Sequence, residues 1–212
     1  GTELGLLDSQ MAWIDFGYLL AYAIGQFIWG ITADRIGTRK VILSGMLVSI
    51  LSGVAMGVST LPLALGVFFF IQGLCQSTGW APLTKNISNF FSQRERGTIM
   101  GMWCTNYAIG GVVASALAAW AASRWGYQYA FFVPAGVLLC IWFLFVFFQR
   151  NRPEDVGLPS IEEYHGEKQN TGVETDSKPE HSWVNIISVL KNPMVRMLAG
   201  VYFFLKPTRY AI

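Results

Sequence analysis

The stretch at residues 30–40, GITADRIGTRK, decides the fold, because it is a short charged turn between two long uncharged segments. Residues 16–33 before it and residues 41–84 after it contain no Asp, Glu, Lys or Arg. A segment that stays apolar and uncharged for about 18 residues or more is a candidate membrane-spanning helix. The stretch therefore indicates two transmembrane helices joined by a tight loop.

The same pattern continues along the chain. Residues 97–123 and 125–149 also lack charged side chains, and residues 41–84 are long enough for two spans with the turn STLP at 59–62. Charged residues make up 13% of the chain, whereas soluble domains average about a quarter. The sequence predicts an all-α membrane protein with five full transmembrane helices, and residues 193–212 begin a sixth. A soluble protein with buried helices is the alternative.

The distribution of cations predicts the orientation of these helices. Arg and Lys concentrate in residues 34–40, 92–98 and 150–191, whereas residues 59–62 contain none and residues 123–129 contain a single arginine. Cytoplasmic loops carry the excess of Lys and Arg. We therefore expect the first, third and fifth connections to be cytoplasmic, and the residues before position 16 to lie outside.

Composition also divides the chain into regions. Residues 1–149 are predicted to form a transmembrane bundle, and residues 150–195 are polar enough to form a cytoplasmic linker. Within the linker, SWVNIISVLKNP at 182–193 has the periodicity of a short amphipathic helix at the membrane surface. Residues 196–212 begin the first helix of a second bundle.

The sequence contains no residue pattern that is typical of an enzyme active site or a metal site. The three cysteines all fall inside predicted spans, where they pack as small apolar residues, and the two histidines lie in the polar segment without a partner at ligand spacing. There is no phosphate-binding loop of nucleotide hydrolases and no nucleophile paired with a base. We expect no enzyme activity, no cofactor, no metal and no nucleic-acid partner.

Two cations lie inside the last apolar segment, AGVYFFLKPTRYAI at 199–212. Lys206 and Arg209 are three residues apart and share a helix face, and Arg209 lies about 24 Å along a helix that begins at Pro193. A charge at this depth in a membrane is retained where it faces a cavity or a partner. A guanidinium binds a phosphate with two parallel hydrogen bonds, so an anionic ligand is the first interpretation. An ion pair with an acid elsewhere is the alternative.

The charged turn resembles the signature loop between the second and third helices of the major facilitator superfamily. The residues that carry this resemblance are Gly30, Asp34, Arg35, Gly37, Arg39 and Lys40. It implies a major facilitator superfamily helical bundle in which this chain covers the second to sixth of twelve helices, preceded by a missing first helix. It also implies that Asp34, Arg35 and Arg39 form a cytoplasmic latch between the two halves. The alternative is that these charges only set the topology.

Two further motifs narrow the resemblance. GLCQSTGWAPLTKNISNFFSQRERGTIMGMW at 73–103 and RPEDVGLPSIEEY at 152–164 resemble the organophosphate:phosphate antiporters. This resemblance implies the exchange of an organic phosphate ester, such as a sugar phosphate or glycerol phosphate, for inorganic phosphate by alternating access. It also implies a multi-pass protein of the bacterial inner membrane.

The resemblance assigns Arg209 to the essential phosphate-binding arginine of the family's seventh helix. The expected substrate-binding residues are Arg209, Lys206, Tyr107, Asn106, Trp103, Lys85 and Gln76. Tyr107 stands where the glycerol phosphate carrier has a histidine, and Gln26 replaces a lysine of several relatives. Helix packing, interhelical hydrogen bonding and, for Lys85, contact with lipid headgroups are the alternatives.

Two other functions stay open at this point. A hexose phosphate sensor of the same group keeps the ligand site but signals to a membrane histidine kinase, which would then be a protein partner. A proton-coupled symporter of the same superfamily would carry a different anion. In each case the lipid bilayer and a small anion are the expected partners.

Overall fold

The structure is a computed structural model, and it describes residues 8–164 and 191–210 of the 212-residue chain. The side chains of residues 206–210 lie outside this description. Six helices form the first part of the chain: α1 Asp8–Ile36, α2 Thr38–Val58, α3 Pro62–Gln76, α4 Ala81–Phe90, α5 Gln93–Trp125 and α6 Tyr129–Phe148. Beyond them lie the short helix α7, Ile161–Tyr164, and the long helix α8, Pro193–Tyr210.

The chain divides into two compact units, Gly1–Asn170 and Thr171–Ile212. Within the second unit, α8 follows the predicted start of a sixth apolar helix and continues past Pro207. The amphipathic helix predicted at 182–193 falls almost entirely outside the described residues, as do His165 and His181.

The five predicted spans are confirmed by length and composition. The helices long and apolar enough to cross a membrane are Ser9–Ile36, Thr38–Val58, Pro62–Phe90, Arg94–Trp125 and Tyr129–Phe148. Large apolar side chains such as Leu63 and Phe148 are exposed on the outside of the unit, as expected for helices that face lipid or further helices.

The third span has a break that the sequence did not predict. Helix α3 ends at Gln76, a 3₁₀ turn occupies Ser77–Gly79, and α4 begins at Ala81. Pro82 has no N–H and cannot donate to the carbonyl of Thr78, which explains why the α-helical ladder is interrupted here. The Ser77 and Thr78 hydroxyls donate instead to carbonyls one turn earlier.

Helices α1 and α3 cross at a very short distance. A Cβ added to Gly73 would overlap the carbonyl oxygen of Tyr18, and one added to Gly25 would overlap the Ser77 hydroxyl. Trp29 fixes the same crossing by donating from Nε1 to the carbonyl oxygen of Leu74 at 2.7 Å. Small residues at such crossings let helix backbones approach where no hydrophobic force drives association.

Helix α2 packs between α3 and α6. The hydroxyl of Ser52 donates to the carbonyl of Phe68 at 3.0 Å, and Nε1 of Trp142 donates to the carbonyl of Leu43 at 2.9 Å. Helix α5 packs mainly against α6. Much of its surface is therefore open within this unit.

Candidate functional site

Six side chains from three spans form two groups of contacts on either side of the helix break, and we call them together the polar–aromatic wall. Its members are Tyr18, Tyr22, Gln76, Trp80, Trp103 and Tyr107. The Tyr18 hydroxyl donates to Oε1 of Gln76 at 2.8 Å, and the Tyr18 and Tyr22 rings stack with centroids 6.3 Å apart. The Trp80 ring lies 4.5 Å from that of Trp103 and 6.1 Å from that of Tyr107.

The break in the third span positions Trp80. It follows the 3₁₀ turn with φ −105° and ψ −74°, so its backbone belongs to neither α3 nor α4. Ser77 and Thr78 on the opposite side of the turn are buried, whereas Gln76 and Trp80 lie on the exposed side. The break thus directs an indole ring towards α5, where Trp103 and Tyr107 occupy one helix face.

The wall is open to the exterior of its unit. Tyr107 is 61% exposed and Trp80 37% exposed. Phenol hydroxyls, indole N–H groups and an amide provide hydrogen bonds, and the flat rings provide apolar contact. All six members are uncharged at neutral pH, so this surface can hold the polar and apolar parts of a ligand. A negative charge on that ligand would need a cation from elsewhere.

Three of the residues predicted from the sequence belong to the wall: Gln76 contacts Tyr18, and Trp103 and Tyr107 both contact Trp80. Asn106 is exposed on α5 beside Tyr107. Lys85 lies in the middle of α4 and pairs instead with Asp34 of α1. Arg209 and Lys206 lie on α8 in the second unit, and their side chains are outside the described part of the chain. Substrate contact by any of these residues stays a prediction.

Sequence reasoning missed Tyr18, Tyr22 and Trp80 as members of the wall. Tyr18 and Tyr22 are four residues apart and therefore share one face of α1, which is a signal that the sequence contains. The role of Trp80 follows from the helix break, which the sequence pattern did not reveal.

A second polar cluster lies at the end of the bundle where α1 meets α2, and we call it the charged end. Asp34 of α1 and Lys85 of α4 form an ion pair there, with about two fifths of each side chain exposed. Arg39 donates from Nη2 to the carbonyl of Val146 in the last turn of α6. A cation at the C-terminus of a helix is favourable because it faces the unpaired carbonyls.

The other residues of the predicted latch are Gly30, Arg35 and Gly37, and they lie at the end of α1 and in the turn that follows it. Gly37 joins α1 to α2 with φ +90°, a backbone conformation that residues other than glycine rarely adopt. A Cβ on Gly30 would meet Ala81 at 3.9 Å, which is an ordinary contact, and Arg35 is exposed. Asp34 and Arg39 thus contact α4 and α6 of their own unit. A latch to a second half of the protein stays a prediction.

Asn151 ties the end of α6 to the charged end. Its Oδ1 accepts hydrogen bonds from the Thr38 hydroxyl at 3.0 Å and from the backbone N–H of Arg39 at 2.8 Å. Its backbone carbonyl accepts from Nδ2 of Asn89 at 3.1 Å and from Nδ2 of Asn86 at 3.3 Å. The first residues of the predicted linker are therefore bonded to the bundle, a role for Asn151 that the sequence did not indicate.

Five apolar spans and a polar wall on one open face define the class of molecule, a multi-pass integral membrane protein. The sequence model of the Major Facilitator Superfamily matches residues 1–206. The chain therefore belongs to the Major Facilitator Superfamily, and the prediction of family and fold is confirmed.

Individual relatives agree with the narrower resemblance. The chain is 28% identical to a probable hexose phosphate transport protein of Chlamydia muridarum and 29% identical to the glycerol-3-phosphate transporter of Bacillus subtilis, in both cases over 100% of its length. It is 33% identical to sugar phosphate exchanger 3 of Bos taurus over 75% of its length. The chain spans 48%, 47% and 32% of these three relatives, respectively.

Proposed function

We propose that the full-length protein exchanges an organic phosphate ester, of the sugar phosphate or glycerol phosphate class, for inorganic phosphate by alternating access. The observation that carries this proposal is the polar–aromatic wall, which lies on the open face of a bundle whose relatives are named hexose phosphate and glycerol-3-phosphate transporters. Such an exchange needs no covalent chemistry, and the protein is a transporter and not an enzyme.

The wall suits the organic part of such an ester. The rings of Trp80 and Trp103 can pack on the apolar face of a sugar or glycerol carbon chain, while Gln76, Asn106 and Tyr107 can bond to its oxygens. Because the wall is uncharged, the phosphate group needs a cation. Arg209 is our candidate for this cation, with Lys206 as a second, because a guanidinium binds phosphate bidentately.

Alternating access also needs a way to open and close the charged end. The ion pair of Asp34 with Lys85 is only partly buried, so it can form and break at small energetic cost. Lys85 can release Asp34 and contact a passing phosphate, which is how it joins the proposed substrate-binding residues. Asp34, Arg35 and Arg39 are our proposed latch to the second half.

We propose the bacterial inner membrane as the location. The relatives from Chlamydia and Bacillus match the whole chain, whereas the Bos taurus relative matches 75% of it.

Exchange in vesicles tests the proposal. The full-length protein is reconstituted into liposomes loaded with labelled phosphate, and efflux is measured on adding external phosphate, glucose 6-phosphate, glycerol 3-phosphate or glucose. We expect phosphate and at least one ester to accelerate efflux, with no effect of glucose or of a protonophore.

Two outcomes would contradict the proposal in different ways. Ligand binding without flux would indicate a sensor that signals to a partner such as a histidine kinase. Uptake that proceeds without internal phosphate and stops when the proton gradient is removed would indicate a proton-coupled anion symporter.

A further inference from the structure

The hydrogen bond between Tyr18 and Gln76 engages the oxygen end of the glutamine amide. The Tyr18 hydroxyl donates to Oε1 of Gln76 at 2.8 Å. A glutamine amide has one acceptor oxygen and one NH₂ group with two donors, and the two ends have nearly the same shape. The partner of one end therefore determines what the other end can offer to a ligand.

Tyr18 is held more firmly than Gln76 is. Its ring packs against Phe69 of α3 with centroids 5.4 Å apart and stacks on Tyr22. Its backbone lies against Gly73, where α1 and α3 approach so closely that a Cβ has no room. The hydroxyl of Tyr18 is thus a fixed point to which the more exposed Gln76 side chain adapts.

The Gln76 side chain is exposed, so the other end of its amide is accessible to a ligand. Gln76 lies on the exposed side of the helix break, four residues before Trp80. Within the described part of the chain, the Tyr18 hydroxyl is the hydrogen-bond partner of its side chain, and Nε2 has none. An unpaired NH₂ group on a ligand-facing surface is a donor pair for an oxyanion or hydroxyl.

We propose that Tyr18 is a positioning residue. By occupying Oε1 of Gln76, it turns Nε2 towards the open face, so that position 76 donates hydrogen bonds to the oxygens of phosphate and of phosphate esters. This inference rests on the proposed function and adds a residue, one helical turn before Tyr22, that acts through Gln76. The reversed amide would present an oxygen to an anion and repel it.

A double-mutant cycle tests the inference in the reconstituted full-length protein. Phosphate exchange is measured as a half-saturating concentration and a maximal rate for Tyr18→Phe, Gln76→Ala and the double variant. Tyr18→Phe keeps the ring and removes the hydroxyl, and we expect it to raise the half-saturating concentration about five- to tenfold, with the maximal rate kept within about twofold. In the Gln76→Ala background the same change should have an effect of less than about twofold.

The control is Tyr129→Phe, which removes a hydroxyl at the start of α6, where the side chain of Tyr129 makes ring contacts with Trp125 and Phe132. We expect its exchange kinetics to equal those of the parent. An effect of Tyr18→Phe that is equal in both backgrounds, or absent from both, would overturn the positioning role while leaving the proposed function intact. A parent protein that exchanges no phosphate would overturn both.

Gln76→Glu provides a second test that leaves Tyr18 unchanged. Tyr18 can still donate to one carboxylate oxygen, and the other oxygen then faces the ligand with a negative charge. We expect a loss of phosphate affinity larger than that of Gln76→Ala. Affinity equal to or tighter than that of the parent would mean that the amide presents its oxygen, which contradicts the inference.

Discussion

Replacing Asn151 with alanine should lower the free energy of unfolding, and the size of the change follows from the hydrogen bonds that its side chain accepts. The side chain accepts two hydrogen bonds, from the Thr38 hydroxyl and the Arg39 backbone N–H, and Thr38 is buried. A hydrogen bond contributes about 1 kcal/mol net, and an orphaned buried donor costs about 1–3 kcal/mol. We therefore expect Asn151→Ala to lower the free energy of unfolding by about 2 kcal/mol, or Tm by about 4–8 °C for a unit of this size.

Asn151→Asp is the matched variant. It keeps the acceptor oxygen, and its charge lies near the N-terminus of α2, where a carboxylate is favourable. The Asp155 carboxylate, which accepts from the backbone N–H groups of Asn151 and Arg152 at 3.1 Å, adds a repulsion of similar size. We expect the stability of Asn151→Asp to lie within about 1 kcal/mol of the parent.

Thermal unfolding of the purified full-length protein in detergent measures both variants side by side. Asn89→Ala calibrates the scale, because it removes one donor from a carbonyl that Asn86 also contacts, and should cost less than about 1 kcal/mol. If Asn151→Asp is as unstable as Asn151→Ala, or if both equal the parent, the hydrogen bonds to Oδ1 do not carry the stability that we assign to them.

Three further predictions concern the helix crossing, the turn at Gly37 and the helix cap at Ser92, and the same unfolding measurement tests them. Gly73→Ala should be strongly destabilising, because its Cβ would overlap the backbone of Tyr18. Gly101→Ala is the control and should be neutral or slightly stabilising, because no atom lies within 4 Å of the new Cβ. Equal effects of the two substitutions would refute the close crossing of α1 and α3. Gly37→Ala should cost about 1–2 kcal/mol, because φ +90° strains any side chain, and an unchanged Tm would contradict this. Ser92→Ala should cost about 1 kcal/mol by removing the capping box at the start of α5, while Ser92→Thr should retain most of it.

The number and placement of the spans could be predicted from the sequence because they depend on length and charge alone. Each predicted span lies within one of the five apolar helical segments, and the glycine at position 37 joins α1 to α2 with a positive φ. The break at Ser77–Gly79 could not be predicted in the same way. Its cause is one missing N–H at Pro82, and apolar periodicity does not register a single lost hydrogen bond.

Only some members of the polar–aromatic wall could be predicted from the sequence, because the others depend on how the helices pack together. The family resemblance assigned Trp103 and Tyr107 to the site, and their four-residue spacing on a regular helix places both on one face. Tyr18 belongs to the wall only because Gly73 and Gly25 bring α1 against α3, which is a tertiary effect. Asn151 was assigned to a linker by composition, although its oxygen atoms are what bind α2 and α4 to the end of α6.

If the polar–aromatic wall lines the path of a phosphate ester, a bound ester should protect the wall from a thiol reagent. Tyr107→Cys is made in a full-length protein whose native cysteines have been replaced, and its labelling rate is measured with and without ligand. We expect phosphate and the exchanged ester to slow the labelling at concentrations that saturate exchange, and glucose to leave it unchanged. A labelling rate unaffected by phosphate or ester, in a variant that still exchanges them, would contradict this expectation.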